Sequence, residues 1–280
     1  VTLPETIATG SRRRWVNMRV LDLLRPVRGL RVLVSAGASG IGATVAAAFC
    51  EAGARVHVCD IDRTGLARLS AEFPEITTSV ADASVARDVD TVFDDVKSTL
   101  GGLDVLVNNV GIAGPTGPVE DIGRVDWERT VAVNLNSHFY FATRAVPLLK
   151  ASSQEPCLIA ISSVAGRLGY PLRTPYASTK WAIVGMMKSL AIELGPQGVR
   201  VNAILPGTVE GERMNRVIGA RAAAAGVSET TMREEYLGKI SLRRMVTTED
   251  IAAMALFLCS PAARNITGQA ISVDGNMEYL

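Results

Sequence analysis

The chain is poor in the residues that metal centres and disulfide frameworks require. Two histidines, His57 and His138, and four cysteines are spread over 280 residues. Cys50, Cys59, Cys157 and Cys259 form no CxxC pair and sit in apolar surroundings. The pattern predicts reduced core thiols in a cytoplasmic protein, with no metal site. Charge of one sign is also lacking: 29 Lys and Arg against 28 Asp and Glu leave a net +1. Bulk charge therefore gives no pull toward nucleic acid or an anionic membrane. No apolar run is long enough to span a bilayer, and the first residues lack the apolar stretch of a signal peptide. Aromatics make up only 5%, yet hydrophobic residues reach 48%, so a large core of aliphatic side chains is available. The length suits one large α/β domain.

Residues 1–28 stand apart. They carry Arg12, Arg13, Arg14, Arg19, Arg25 and Arg28 and little apolar rhythm, and read as a basic N-terminal arm before a catalytic domain at 29–280. From Leu30 onward, short β-branched strands alternate with helical patterns. Strands are predicted at 31–35, 55–59, 77–80, 104–108, 158–162, 200–204 and 270–273. Helices are predicted at 40–52, 64–73, 84–100, 126–150, 176–194 and 248–258, the last capped by Thr247 or Thr248. Residues 208–247 read as irregular with helical patches. About seven strands, apolar throughout and joined through helices, imply a doubly wound parallel sheet of the Rossmann type with helices on both faces.

The first strand runs into Ser35-Ala36-Gly37-Ala38-Ser39-Gly40-Ile41-Gly42. Small residues at such a turn let the backbone approach a pyrophosphate, and the helix that follows offers unpaired N–H groups. Gly37, Ser39, Gly40, Ile41 and Gly42 are thus candidate cofactor contacts. Asp60, at the end of the second strand, is placed to accept hydrogen bonds from ribose hydroxyls and to repel a 2′-phosphate, which favours NAD(H) over NADP(H). Arg63 is the cation that argues the other way. Asp82 suits either the adenine amino group or the cap of the next helix. Asn108 is suited to brace the central sheet, and Gly111 to let the chain pass close to a cofactor.

The chemistry centres on Tyr176 and Lys180, four apart on one helix face. A phenol titrates near 10 and is a poor base at neutral pH. A neighbouring ammonium and an oxidised nicotinamide both favour the phenolate. Ser163, at the carboxyl end of the fifth strand, is placed to hold a substrate oxygen while Tyr176 moves the proton; Ser162 is its rival. Asn134 is either a satisfied core amide or the holder of a water that links Lys180 to solvent.

These residues resemble the short-chain dehydrogenase/reductase family in its single-domain form, over about 30–275. The family's Gly-rich motif matches residues 35–42, with Ala36 in place of its first glycine. Its Asn-Asn-Ala-Gly matches Asn108-Asn109-Val110-Gly111, its Tyr-x-x-x-Lys matches Tyr176 and Lys180, and its serine, thirteen places upstream of the tyrosine, matches Ser163. Its helix asparagine matches Asn134. Its Pro-Gly after strand six matches Pro206-Gly207, with Thr208 expected near the nicotinamide carboxamide. Asn276 stands where the family has a second glycine after Asp274-Gly275.

The resemblance implies direct hydride transfer between a nicotinamide and a small alcohol or ketone, and a homotetramer. A sugar, polyol or hydroxy acid substrate with NAD is expected. A 3-oxoacyl-(acyl-carrier-protein) reductase using NADPH is the enzymatic rival, and a non-catalytic NAD-binding scaffold the rival of another class. The expected substrate walls are 164–175, with Arg167, Tyr170 and Arg173, and the stretch after Pro206, with Arg213 and Met214. Residues 208–240 are a candidate lid.

Overall fold

A computed structural model describes residues 20–279 and leaves the side chains of Arg213 and Ala224 undescribed. The arginines of the predicted arm as far as Arg19 lie outside the described residues. In chain order the elements are α1 (Val20–Leu23), β1 (Arg31–Ser35), α2 (Gly40–Glu51), β2 (Arg55–Asp60), α3 (Arg63–Glu72), β3 (Thr77–Val80), α4 (Ala86–Leu100) and β4 (Val105–Asn108). They continue with α5 (Arg124–Val131), α6 (Ser137–Lys150), β5 (Cys157–Ile161), α7 (Thr174–Leu194), β6 (Arg200–Pro206), α8 (Glu212–Ala225), α9 (Glu229–Gly238), α10 (Thr248–Leu258) and β7 (Ala270–Val273).

The seven strands form one parallel sheet in the order β3-β2-β1-β4-β5-β6-β7, the doubly wound topology expected. Successive side chains of a strand face opposite ways, so β1 feeds two cores. Val32 and Val34 join Val45 and Phe49 of α2 and Leu258 of α10 on one face. Leu33 joins Phe93 of α4, Phe141 of α6 and Met187 of α7 on the other. Both faces are buried, which explains strands without polar alternation.

The chain winds outward from β1 to β3 and then crosses back to β4. That reversal opens a crevice at the carboxyl ends of β1 and β4. Asn108 braces it as predicted: its Oδ1 accepts from Ser35 Oγ at 3.0 Å and its Nδ2 donates to the His138 carbonyl at 3.2 Å. At the opposite end of the sheet Asp104, 1% exposed, accepts from Arg31 Nη2 at 2.6 Å and Ser152 Oγ at 2.6 Å.

Three stretches differ from the sequence reading. The helix expected from residue 84 starts at Ala86, because the Asp82 carboxylate accepts from Ser84 N at 2.9 Å and Ser84 Oγ at 2.6 Å and holds that segment in a turn. The single helix expected at 126–150 is α5 and α6 joined by a π turn at Ala132–Asn136, an irregularity that apolar periodicity does not register. The irregular stretch at 208–247 contains two helices, α8 and α9, packed around Ile218, Ala222, Met232, Tyr236 and Met245. Ser228 caps α9, and Thr247 rather than Thr248 caps α10, in a reciprocal capping box with Asp250.

Candidate active site

A cleft of about 620 Å³ runs along the carboxyl ends of the strands. At one end it is lined by Ser39, Gly40, Ile41 and Asp60, at the other by Ser163, Tyr176 and Lys180, with Pro206, Gly207 and Thr208 along its wall.

Local packing builds the first end. α2 begins at Gly40 with Ser39 as its cap, and the Ser39 side chain makes no capping bond. The first N–H groups of this twelve-residue helix therefore face the turn. The turn is tight. A Cβ on Gly42 would lie 2.3 Å from the Ala36 carbonyl oxygen and 2.8 Å from the Gly37 Cα. Asn109 holds the other side, its Nδ2 donating to the Ala36 carbonyl at 2.9 Å. Ala36 itself adopts φ +52°, a left-handed conformation that costs an L-residue with a Cβ and that a glycine would adopt freely. Asp60 closes this end: its Oδ2 accepts from Ala38 N at 2.9 Å and its Oδ1 from Asp62 N at 3.0 Å. The cation in this wall is Arg68 of α3, whereas the Arg63 suspected from sequence is not part of the lining. A narrow backbone cradle, a helix N-terminus and a fixed carboxylate fit a dinucleotide.

The second end is built where β5, the loop after β4 and α7 meet. Pro175 in the first turn of α7 starts the helix ahead of Tyr176. Lys180 is 3% exposed; its Nζ donates to the Ile161 carbonyl at 3.0 Å and lies 5.8 Å from the centre of the Tyr176 ring. Gly111 makes room for that amine, since a Cβ there would sit 3.2 Å from Nζ. Ser163 Oγ accepts from Ala165 N at 3.1 Å. Ser162, the rival, also lines the cleft, but its Oγ donates to the Lys180 carbonyl at 2.8 Å.

Asn134 lies fully buried within the π turn. Its Nδ2 donates to the Ile112 carbonyl at 3.1 Å and Thr179 Oγ1 at 3.2 Å, and its Oδ1 accepts from Ile112 N at 2.8 Å. Both amide protons and one lone pair are thereby used, which leaves one acceptor site on Oδ1 for a water. Gly37 and Gly42 pack behind the turn, and Asn108 and Asp82 are outside the lining. Asp82 is held below the usual carboxylate range, chiefly by its bond from Ser84.

Tyr170, Arg173 and Met214 of the predicted substrate walls do line the cleft. Arg167 does not: its Nη2 donates to Asp274 Oδ2 at 2.7 Å and to the Met277 carbonyl at 2.6 Å. Asn109 and Arg68 lie outside the sequence reading of this site, while Glu210, Arg216 and Tyr236 belong to the stretch after Pro206 that it names without singling them out. Asn109 alone had a signal, being the second Asn of the Asn108-Asn109 pair; the others come from helices and loops whose facing depends on tertiary packing.

A family model described as enoyl-(acyl carrier protein) reductase matches residues 35–278. The chain belongs to the short-chain dehydrogenase/reductase family. It is 34% identical to 2-(S)-hydroxypropyl-CoM dehydrogenase 3 of Xanthobacter autotrophicus, over 89% of this chain and 96% of that protein. Among solved structures it resembles a 7α-hydroxysteroid dehydrogenase in complex with NADH and 7-oxo glycochenodeoxycholic acid. That match has a TM-score of 0.84 and 30% identity, over 93% of this chain and 98% of that one. It also resembles a 3-ketoacyl-(acyl-carrier-protein) reductase of Brucella melitensis in complex with NADH, with a TM-score of 0.79 and 31% identity, over 89% and 98% of the two chains. As a member of this family the protein is an oxidoreductase that acts on CH–OH groups and their carbonyl counterparts with a nicotinamide cofactor. No helix among the described residues is long and apolar enough to cross a membrane.

Proposed function

We propose that this protein is an NAD(H)-dependent dehydrogenase that interconverts a small secondary alcohol and its ketone. The observation that carries the reading is that Ser163, Tyr176 and Lys180 share one cleft with the Gly-rich turn and Asp60. Ser39, Gly40 and Ile41 would hold the dinucleotide at the N-terminus of α2, with Asp60 available to its ribose and Thr208 to its nicotinamide end. When bound, the nicotinamide supplies or accepts the hydride.

The chain's own residues handle the proton and the oxygen. Ser163 Oγ hydrogen-bonds the substrate oxygen. Tyr176 Oη takes the hydroxyl proton in alcohol oxidation and returns it in ketone reduction. Lys180, held by the Ile161 carbonyl with its amine facing the Tyr176 ring, offsets the negative charge that develops on the phenol oxygen as the proton is transferred. Asn134 fixes Ile112 against Thr179 and so keeps the loop after β4 in register with α7. The choice of NAD(H) rests on Asp60, whose carboxylate repels a 2′-phosphate, against the pull of Arg68 in the same wall. Exposed Phe139 on α6 and Trp181 and Ile192 on α7 are consistent with a homo-oligomer.

A panel of secondary alcohols, ketones, 3-oxoacyl thioesters and 2-enoyl thioesters, assayed with NAD(H) and NADP(H), tests the reading. Turnover of alcohols or ketones with NAD(H) is expected. Tyr176→Phe should lose 100-fold or more, on the order expected for a lost acid/base, while still binding NADH. Wild-type rates in that variant would refute the assigned role, and turnover of thioesters alone with NADPH would favour the acyl-carrier reductase.

A further inference from the structure

Arg173 lines the cleft as a buried cation. It immediately precedes α7 and is 6% exposed. Its Nη2 donates to the Ala113 carbonyl at 2.7 Å, and its Nε has no hydrogen-bond partner in the protein. The guanidinium carbon lies 5.3 Å from the ring centres of both Tyr170 and Tyr176. None of the ion pairs among the described residues includes it.

Three costs meet at this side chain. A buried cation without a counter-charge is unfavourable. The N-terminus of a helix is the positive end of its dipole and disfavours a further cation. Lys180 adds a second positive charge in the same wall. The neighbouring phenol of Tyr170 does not compensate, because burial, followed by the influence of Tyr236, pushes it up to about 12 and keeps it neutral. The two aromatic faces and the Ala113 carbonyl hold the guanidinium in place, which is the arrangement of a preorganised anion receptor.

We propose that Arg173 anchors the substrate, and that the substrate is a hydroxy acid or its oxo acid, with the carboxylate on the carbinol carbon or a short spacer away from it. The carboxylate meets the guanidinium while the alcohol oxygen meets Ser163 and Tyr176. Binding then neutralises the charge that the folded chain leaves uncompensated. This inference rests on the dehydrogenase reading above and narrows its substrate class from alcohols in general to acids, against neutral sugars and polyols.

The test compares hydroxy acids with their own primary amides, which keep the shape and remove the charge: lactate, 3-hydroxybutyrate and 4-hydroxypentanoate, each beside its amide, with NAD⁺ as acceptor. For the pair turned over fastest, wild type should prefer the acid by roughly 10- to 100-fold in kcat/KM, the worth of a hydrogen bond to a charged group, mostly through KM. Arg173→Gln should bring that ratio near one. Arg173→Lys, which retains a cation in the wall, should keep part of it. A wild-type ratio near one overturns the proposal without any variant. So does a parallel fall of acid and amide in Arg173→Gln, which would make Arg173 a strut for Ala113 or a counter-charge to the Tyr176 phenolate. Turnover of amides and neutral alcohols without preference would sink this inference and leave the dehydrogenase reading standing. No turnover of any secondary alcohol would sink both.

Discussion

Gly42→Ala is the sharpest probe of the cradle. Gly42 is buried in the first turn of α2, and the question it raises is room rather than backbone freedom. The added Cβ would meet the Ala36 carbonyl oxygen at 2.3 Å, Asn109 Nδ2 at 2.7 Å and the Gly37 Cα at 2.8 Å, where ordinary contact begins at 3.4 Å. Two of those three atoms are main chain and cannot rotate away. Either the Gly-rich turn or the start of α2 must therefore move by about 1 Å, and overpacking of this kind costs about 1–3 kcal/mol. The rigidity of the neighbours puts this site at the upper end, roughly 6–12 °C in Tm for a domain of this size. The functional loss should be the larger effect. A turn displaced on that scale loses at least one N–H bond to the pyrophosphate, a charge-assisted contact worth about 1.5–3 kcal/mol, or roughly 10- to 100-fold in affinity. Fluorescence titration with NADH and a thermal melt on the same sample measure both. A variant that melts lower but binds NADH like wild type would refute the placement of the cofactor along this turn.

Further expectations concern strain and protonation. Ala36→Gly removes a Cβ at φ +52° and should raise stability by up to about 1 kcal/mol, after allowing for the extra freedom of glycine in the unfolded chain; a lower Tm would show that the Cβ is stabilising. Burial above all holds His57 at about 4 and His138 at about 3. Unfolded histidine titrates near 6.5, so the unfolded chain binds protons that the folded one refuses. Stability should fall as pH drops from 6.5 toward 4, by about 1.4 kcal/mol per pH unit for each histidine. Denaturation of His57→Asn at pH 6.5 and 5 should show one proton less of slope, and an unchanged slope would contradict this. For Asp104, burial raises the carboxyl, but bonds from Arg31 and Ser152 more than offset it and hold it below its usual 3.8. Its contribution is complete above that value and disappears as pH falls through the folded value. Asp104→Ala should therefore cost about 3 kcal/mol near neutrality and progressively less in acid, read from the urea midpoint.

What the sequence revealed follows from which features are local. Strand β1 was legible because Val32, Leu33 and Val34 declare burial on both faces within a few residues. Tyr176 and Lys180 were legible because helical spacing alone puts them on one face. Asp60 was legible because it ends a strand that every apolar neighbour marks. The π turn at Ala132–Asn136 was not, since one extra residue in a helical turn leaves no trace in the apolar pattern. Asp82 was ambiguous until its carboxylate was seen bonded to Ser84. Arg167 and Arg173 have similar loop contexts in the sequence, yet one turns to Asp274 beyond β7 and the other is buried against two tyrosines. Only packing contributed by β7 and the neighbouring loops separates them.

The chemical end of the cleft depends on how two serines are used. Ser162 and Ser163 adjoin at the end of β5, and only one of them can be spared for a substrate. Ser162 Oγ donates to the Lys180 carbonyl, while Lys180 Nζ donates back to the Ile161 carbonyl. These two bonds lock β5 to α7 from both ends of one lysine. Gly166 permits the closeness: a Cβ there would lie 2.6 Å from Ser162 Oγ and 2.8 Å from the Lys180 carbonyl oxygen. Ser163 follows Ser162 just past the end of β5, and Tyr176 precedes Lys180 by one helical turn, so the same lock sets the offset between the two groups proposed to share a substrate oxygen. The lysine thus acts through its main chain as well as its charge. In the proposed mechanism this lock is what aligns the hydroxyl and the phenol before anything binds.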